Sequence, residues 1–585
     1  MHNKQSSLWI LAVSFLFCLN TAVLSQTVTL DTSEKGLHQT IDGFGTCGHK
    51  TDDWYRTLYF DDLRCSIVRV DMTPKFKSPW SDHSYNSPWF HNDPAQPGPD
   101  GNNVRTYTGA ADYTREFAGR RAAIAVMGPD IDDNIRRYYD LDNERIKGGG
   151  TLARIGADRR KEIGEVKLLG CVWSPAPWLK VPSGNRITGQ SDPMPKNGAP
   201  WPFLWYDNFA GGLLDVSGEP RKEFDDSAMP GGKGPTSALT QYARGFAAWV
   251  RGYQNKFGVK FYALSLQNEP HLEVFYNSCL YRTADQYIAA LKAARAEFDK
   301  YPDLKDIKLT GPEDTVGSDS TYLWFWESNG FKQHKLLQIM KAIESDPVAA
   351  KALDFYCVHG YAADGITSAG GEPAVWDWSA RGWKEAPNPQ VPPNVKGYES
   401  YGKKCWETET SGDRTEWLYP AVGFPSQGAF SIALKIHQAL AVGNTSAWLY
   451  WQLSDEKADY RESLTNPEVR EKSAKMAAAR HYFRYIRPGA IRIEAAVTET
   501  KKLKASVFLH EKDGKLVWVL INASKQEMKP QLIIPSGYRV TAPAETFTSS
   551  DEALWKSSTV AFTNGVSSVT IPGFGVMTVV ANIKK

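Results

Sequence analysis

Short apolar runs of strand type alternate with longer stretches of helical period through most of the chain. The clearest run covers 262–269. Tyr262, Leu264 and Leu266 alternate there with Ala263, Ser265 and Gln267. Asn268 and Glu269 then stand together, and Pro270 ends the pairing because it has no N–H to donate. Counting 41–46 as the first, further strands are predicted over 66–72, 166–172, 307–311, 353–359, 404–410 and 446–451. Helices are predicted over 152–163, 239–257, 284–300, 331–345, 427–442 and 471–486. Eight strand–helix units over about 430 residues predict an α/β fold, a (β/α)₈ TIM barrel with long insertions. The two longest insertions, 73–150 and 179–235, follow strands, which places both at the C-terminal face of the barrel.

The pattern changes after Arg487-Pro488-Gly489. Short strands recur at 505–509, 516–521, 531–534, 558–562, 568–571 and 577–581, with turns at 512–514 and 535–537. Residues 487–585 therefore read as an all-β sandwich beside a barrel of 44–486. The strand within 26–43 is expected to join the sandwich.

Charge and composition narrow the partners. With 68 basic and 66 acidic residues the net charge is +2, which gives no basic surplus for nucleic acid. Aromatics are abundant, with 20 Trp, 26 Tyr and 25 Phe. Trp80, Trp89, Phe90, Trp201, Trp205 and Tyr206 fall in the two long insertions, where they either pack the barrel rim or wall a substrate groove. Residues 1–25 have the charged start and short apolar core of a secretory signal, so the protein is expected to be secreted, extracellular or periplasmic. No other stretch is long enough to span a bilayer. Six cysteines remain after residue 25, none in CxxC spacing, so no metal site is expected and buried thiols are as good a reading as disulfides.

A carboxylate and an amide ending a buried strand are costly unless they are paired or face a cavity. The ordinary alternative for Glu269 is a partner Arg or backbone N–H. A second carboxylate on a second strand shifts the balance, and 404–410 supplies it. The C-terminal ends of barrel strands converge, which brings Glu269 of the fourth strand and Glu409 of the seventh to one groove. Two carboxylates facing one groove are the machinery of glycoside hydrolysis. Glu407 and Glu409 share a strand face. Glu409 is preferred because it lies nearer the loop, with Glu407 deeper as an ion-pair partner.

Six segments appear in a characteristic order: 39–45 (Gln-Thr-Ile-Asp-Gly-Phe-Gly), 173–180 (Trp-Ser-Pro-Ala-Pro-Trp-Leu-Lys), 266–270 (Leu-Gln-Asn-Glu-Pro), 359–361 (His-Gly-Tyr), 406–409 (Trp-Glu-Thr-Glu) and 448–451 (Trp-Leu-Tyr-Trp). Together with Ile486-Arg487-Pro488-Gly489-Ala490 at the junction, they resemble glycoside hydrolase family 30, in the large clan of retaining barrel hydrolases. The resemblance implies Glu269 as general acid/base and Glu409 as nucleophile. It implies Asn268 on the sugar 2-hydroxyl, Arg69 holding Glu409 ionised, His359 and Tyr361 lining the groove, and Trp173 and Trp451 under the sugar ring. Burial and a neighbouring charge are expected to raise the pKa of Glu269, and Arg69 to lower that of Glu409. Thr46-Cys47-Gly48 departs from the usual sequence after Gly-Phe-Gly, and Tyr276-Asn277-Ser278-Cys279 resembles the xylan-cleaving branch. The expected substrate is a polysaccharide or oligosaccharide, with β-1,4-xylan first. β-1,6-Glucan, β-1,6-galactan and glucosylceramide-type or simple β-glucosides follow. No cofactor is expected, and a monomer is. The rival class is a carbohydrate-binding protein on a degenerate barrel, against which the presence of both carboxylates and Asn268 weighs.

Overall fold

The computed structural model describes residues 26–78, 80, 124–181, 209, 211–272, 277–316, 335–361, 365–367, 370, 374–385, 393–498 and 501–585. Trp89, Phe90, Trp201, Trp205, Tyr206, Tyr276 and residues 1–25, read above as a secretory signal, lie outside the described residues.

Eight parallel strands close a barrel. They are β1 (Gly43–Cys47), β2 (Ile67–Asp71), β3 (Lys167–Cys171), β4 (Ala263–Ser265), β5 (Lys308–Thr315), β6 (Phe355–His359), β7 (Cys405–Glu409) and β8 (Ala447–Ser454). Each pairs with the next, and β8 pairs with both β7 and β1. Inward-facing Ile67, Leu169, Ala263, Phe355, Cys357, Trp406, Ala447 and Leu449 fill the lower interior as one apolar cluster. Beneath them Asp42 accepts hydrogen bonds from Trp406 Nε1 at 2.8 Å and Lys404 Nζ at 2.5 Å. Among the described residues the N-terminal end of the barrel is thus plugged, which leaves the C-terminal strand ends as the place for a site.

The longest outer helix among the described residues, α2 (Ala238–Phe257), shows why these segments are helical. Ser237 caps it, its hydroxyl accepting the Thr240 N–H at 3.1 Å, and Gly258 ends it at φ 63°. Tyr242, Phe246, Trp249 and Tyr253 recur at three- and four-residue spacing and bury one face against the barrel.

An earlier helix, α1 (Glu144–Asp158), begins eight residues before the predicted 152 and runs through Gly148-Gly149-Gly150. A run of glycines reads as loop in sequence, but here it lets the helix lie on the β1 exit. A Cβ on Gly148 would stand 1.7 Å from the His49 carbonyl oxygen. The strand β5 also differs, continuing to Thr315 where Gly311-Pro312 predicted an end. Its neighbour β4 is only three residues long and pairs with Lys308–Thr310 alone. Past Thr310 that side of β5 makes no ladder with β4, so the missing N–H of Pro312 costs little there.

The second body is a mostly antiparallel sheet system. Strands Lys556–Val560, Ala544–Ser549, Val576–Lys584, Lys515–Asn522, Leu503–His510 and Ile491–Val497 lie side by side in that order. The strand Thr27–Asp31 pairs antiparallel with Ile491–Val497 and parallel with Gln531–Ile533, so it belongs to this sheet although it precedes the barrel. Its core includes Val28, Leu509, Trp518, Leu532 and Val579. The opposite face, with Phe508, Val517, Val519 and Val580, shares the barrel's apolar core. Among the described residues, Cys47, Cys65, Cys171, Cys279, Cys357 and Cys405 are buried and in no disulfide.

Candidate active site

Strand ends build the site. β2 contributes Arg69, which is fully buried. Its Nη1 lies 2.7 Å from Glu409 Oε2 at the end of β7. Its Nη2 donates to Asn268 Oδ1 at 2.7 Å, beyond the end of β4. One guanidinium therefore ties together residues of three strands, a role that suits its planar fork of donors. Glu269 follows Asn268 with φ 45°, a left-handed conformation uncommon for glutamate. That turn carries its carboxyl to His359 at the end of β6, whose Nδ1 is 3.2 Å from Glu269 Oε1. Tyr361, two residues on and also left-handed at φ 49°, donates its hydroxyl to Glu409 Oε1.

One oxygen of Glu269, one of Glu409 and a ring nitrogen of His359 lie within 4.8 Å of one another. Such a triad has the donor types of a metal site, but its cationic partners are already in place. Arg69 sits on Glu409, and His359 is itself carried up to about 10, with burial opposing and Glu409, Glu269 and Glu313 outweighing it. Glu407 lies two residues deeper on β7 and is fully buried.

Trp173 and Trp451 face each other with ring centroids 5.3 Å apart. Trp451 is the extra residue where β8 shifts register against β1, and its N–H donates to the Thr410 carbonyl at 2.8 Å. The bulge turns the ring over Arg69, whose Cζ is 5.7 Å from the ring centroid. Arg69, Trp173, Asn268, Glu269, His359, Tyr361, Glu409 and Trp451 thus come from six of the eight strand ends. Trp80, from the first insertion, packs edge-on against Tyr138 at 4.8 Å, on the rim.

The electrostatics differ from the sequence expectation. Burial raises the Glu269 carboxyl, but the hydrogen bond and charge of His359 outweigh it and draw Glu269 below the usual carboxylate range. Burial pushes Glu409 up, against His359 and Arg69 and with the help of Glu269. The expectation left out His359 as a cation. As the side chains stand, the proton belongs to the His359–Glu269 couple, held in one hydrogen bond, and the two carboxylates titrate together.

Sequence reading missed Glu313. It stands on β5 between Arg69 Nε at 3.4 Å and His359 Nε2 at 3.9 Å. Its neighbour Asp314 pairs with His271, two residues after Glu269. The polar run Glu313-Asp314-Thr315 was the available signal, hidden behind Gly311-Pro312.

No family model matches the chain. A 138-residue stretch is 27% identical to the glucuronoxylanase XynC of Bacillus subtilis strain 168, covering 23% of this chain and 30% of the relative. The match thus spans about a third of the curated relative's length. Among solved structures, the chain superposes on the catalytic domain of the family 30 xylanase C from Talaromyces cellulolyticus with TM-score 0.58 at 16% identity, covering 95% of this chain and 99% of that one. It also matches the family 30 subfamily 8 xylanase from Clostridium acetobutylicum, with TM-score 0.56, 17% identity and coverage of 95% and 99%. An endo-β1,6-glucanase follows with TM-score 0.56, 15% identity and coverage of 96% and 94%. The fold is the one these enzymes share, and the chain resembles glycoside hydrolase family 30.

Proposed function

We propose that this protein is an exported, retaining β-glycoside hydrolase that cleaves a polysaccharide, with β-1,4-xylan the foremost substrate. The observation that carries the reading is the pair Glu269 and Glu409, with carboxylate oxygens within 4.8 Å of each other at the C-terminal end of the barrel. Retaining glycosidases hold their carboxyl groups about 5–5.5 Å apart, whereas inverting ones need roughly 6.5–9.5 Å to admit a water. The stretch similar to a glucuronoxylanase supports xylan, and the pattern of residues 1–25 supports export.

In this reading Glu409 attacks the anomeric carbon while Glu269 protonates the departing oxygen. Arg69 and the Tyr361 hydroxyl hold the two oxygens of Glu409 and aim it. The acid proton reaches Glu269 from His359 along their shared hydrogen bond as the leaving oxygen gathers charge. Asn268 Oδ1 is occupied by Arg69, which leaves the amide N–H groups to donate to the sugar 2-hydroxyl. A water activated by Glu269 then releases the sugar with retained configuration. The test is turnover on a panel of aryl β-glycosides, with product stereochemistry by NMR and product profiles on xylan, β-1,6-glucan and β-1,6-galactan. A β-configured first product from xylan is expected. An α-configured product refutes retention, and cleavage of a β-1,6-linked polymer alone refutes the xylan assignment. Binding without turnover would return the chain to the carbohydrate-binding class.

A further inference from the structure

The fifth strand brings a third carboxylate beneath the pair. Glu313 is fully buried. Pro312 pairs with Cys357 and Asp314 with Val358, so Glu313 is the extra residue of a bulge, at φ 52°. Bulged and left-handed residues recur where a strand re-aims a side chain at a site.

Backbone and side chain of Glu313 touch different parts of the machinery. Its carbonyl accepts the N–H of Glu269 at 3.3 Å. Its Oε1 lies 3.4 Å from Arg69 Nε and 3.9 Å from His359 Nε2. Its Oε2 faces Arg69 Nη2 at 3.5 Å and accepts from the Cys171 thiol. Arg69 holds Glu409, and His359 holds Glu269. Each proposed catalytic carboxylate therefore reaches Glu313 through one intermediate side chain.

We propose that Glu313 is a positioning residue that fixes Arg69 and His359 and keeps a proton on the His359–Glu269 couple. This rests on the reading of Glu269 as the acid. With Arg69 charged, and Glu313 and Glu409 ionised, the couple sits beside a net negative charge, and loss of its proton would add another. Burial opposes the ionised form of Glu313, but Arg69 and His359 hold its carboxyl well below the usual range. The other titratable groups facing it are Asp71, Cys171, Tyr287 and Cys357. Burial pushes the two thiols and the phenol up, so they stay neutral.

The experiment is Glu313→Gln, which keeps the shape and removes the charge. Rate against pH is measured on a 4-nitrophenyl β-glycoside that the wild type turns over, and the His359 ring is followed by nitrogen-15 NMR. The alkaline limb of kcat/KM and the His359 titration should both move down by about one pH unit or more, while activity persists on the acid side. Glu313→Asp should return the limb towards its wild-type position at a lower kcat. A purely structural role would depress the rate equally at every pH. An unmoved limb and an unmoved His359 titration would overturn the proposal, as would a Glu313→Asp variant that behaves like Glu313→Gln. If Glu313→Gln does not fold, the wild type decides: an imidazolium at His359 persisting above pH 8 supports the proposal, and a midpoint at or below 8 overturns it. A wild type that turns over no glycoside would sink the hydrolase reading, yet the NMR comparison would still judge Glu313.

Discussion

Glu269 and Glu409 have different partners, and their removal should have different consequences. On the roles proposed above, Glu409→Ala leaves no group to form a glycosyl-enzyme, so turnover should vanish on every substrate. Glu269→Ala keeps the nucleophile. It should lose roughly 10²–10⁴-fold on polysaccharide, keep attack on aryl glycosides with good leaving groups, and then stall. Added azide should release the stalled sugar as a β-glycosyl azide. An α-azide from Glu409→Ala is the matching signature of a missing nucleophile, whereas an α-azide from Glu269→Ala with a β-azide from Glu409→Ala would mean that the roles are reversed, and a dead Glu407→Ala beside a healthy Glu409→Ala would move the nucleophile along β7. His359→Gln removes the group that draws Glu269 below its usual range, so the Glu269 carboxyl itself should titrate higher in the variant, while the alkaline limb on an activated substrate, no longer set by the His359–Glu269 couple, should move down. The residues of this site were legible because polar groups at the ends of apolar strands need a reason. Asn268 and Glu269 after Leu264 and Leu266, and Glu409 after Trp406, carry that contrast. The electrostatics were not legible, because the charge on His359 depends on three glutamates from β5, β7 and the β4 exit that only the fold brings together.

At the scale of elements, strands and helices with clean periods were readable and backbone exceptions were not. β2, β3, β6 and β7 fall where alternation placed them. β5 was read short because proline normally ends a strand, and only the brevity of β4 makes Pro312 tolerable there. α1 was read short because three glycines weaken a helix in isolation. The close approach to β1 makes them necessary, and that can be measured. Gly148→Ala adds a methyl group 1.7 Å from the His49 carbonyl oxygen, a backbone atom that cannot swing aside. The helix must shift, at about 1–3 kcal/mol by analogy with overpacked cores. Gly164→Ala meets nothing within 4 Å, but at φ 86° it pays the left-handed penalty alone. Thermal unfolding should show the larger fall in Tm for Gly148→Ala. Equal falls would mean that the α1–β1 contact relaxes freely.

The barrel and the sandwich share one apolar core, and two histidines are set into the seam. His481 from the last barrel helix, Ala474–Phe483, meets the sandwich through Thr578 Oγ1 at 2.8 Å and Ser549 Oγ at 2.9 Å. The Thr578 hydroxyl donates to the His481 carbonyl, so its oxygen accepts Nδ1–H, and Nε2 takes the Ser549 hydroxyl. Every polar group is satisfied with the ring neutral. His437 meets Ser506 Oγ at 2.7 Å. Burial, with Lys504 and Arg492 near His437 and Arg480 near His481, pushes both rings down to about 3. The unfolded chain binds protons at these histidines below about 6.5, whereas the folded one does not until about 3. The stability they contribute is therefore complete above pH 6.5 and drains as pH falls towards 3, by several kcal/mol each on the order of 1.36 kcal/mol per pH unit. The seam should open in acid before either body loses its own core, giving an early transition in tryptophan fluorescence between pH 5 and 4. His481→Asn with His437→Asn should lower stability at neutral pH and flatten the acid slope. The same seam predicts what truncation does. Removing 488–585 would strip Phe508, Val517, Val519 and Val580 from the shared core and expose the apolar face of the barrel's last helices. No Ser/Pro-rich linker precedes the sandwich, and the Gly489 N–H bonds the Ile41 carbonyl at 2.8 Å, so the sandwich is anchored at the join. The truncated barrel should be insoluble, and co-expressed 488–585 should not rescue it, because the strand Thr27–Asp31 that completes the sandwich stays with the barrel. A soluble, active barrel ending at 487 would show that the seam is a contact between two independent bodies rather than part of one core.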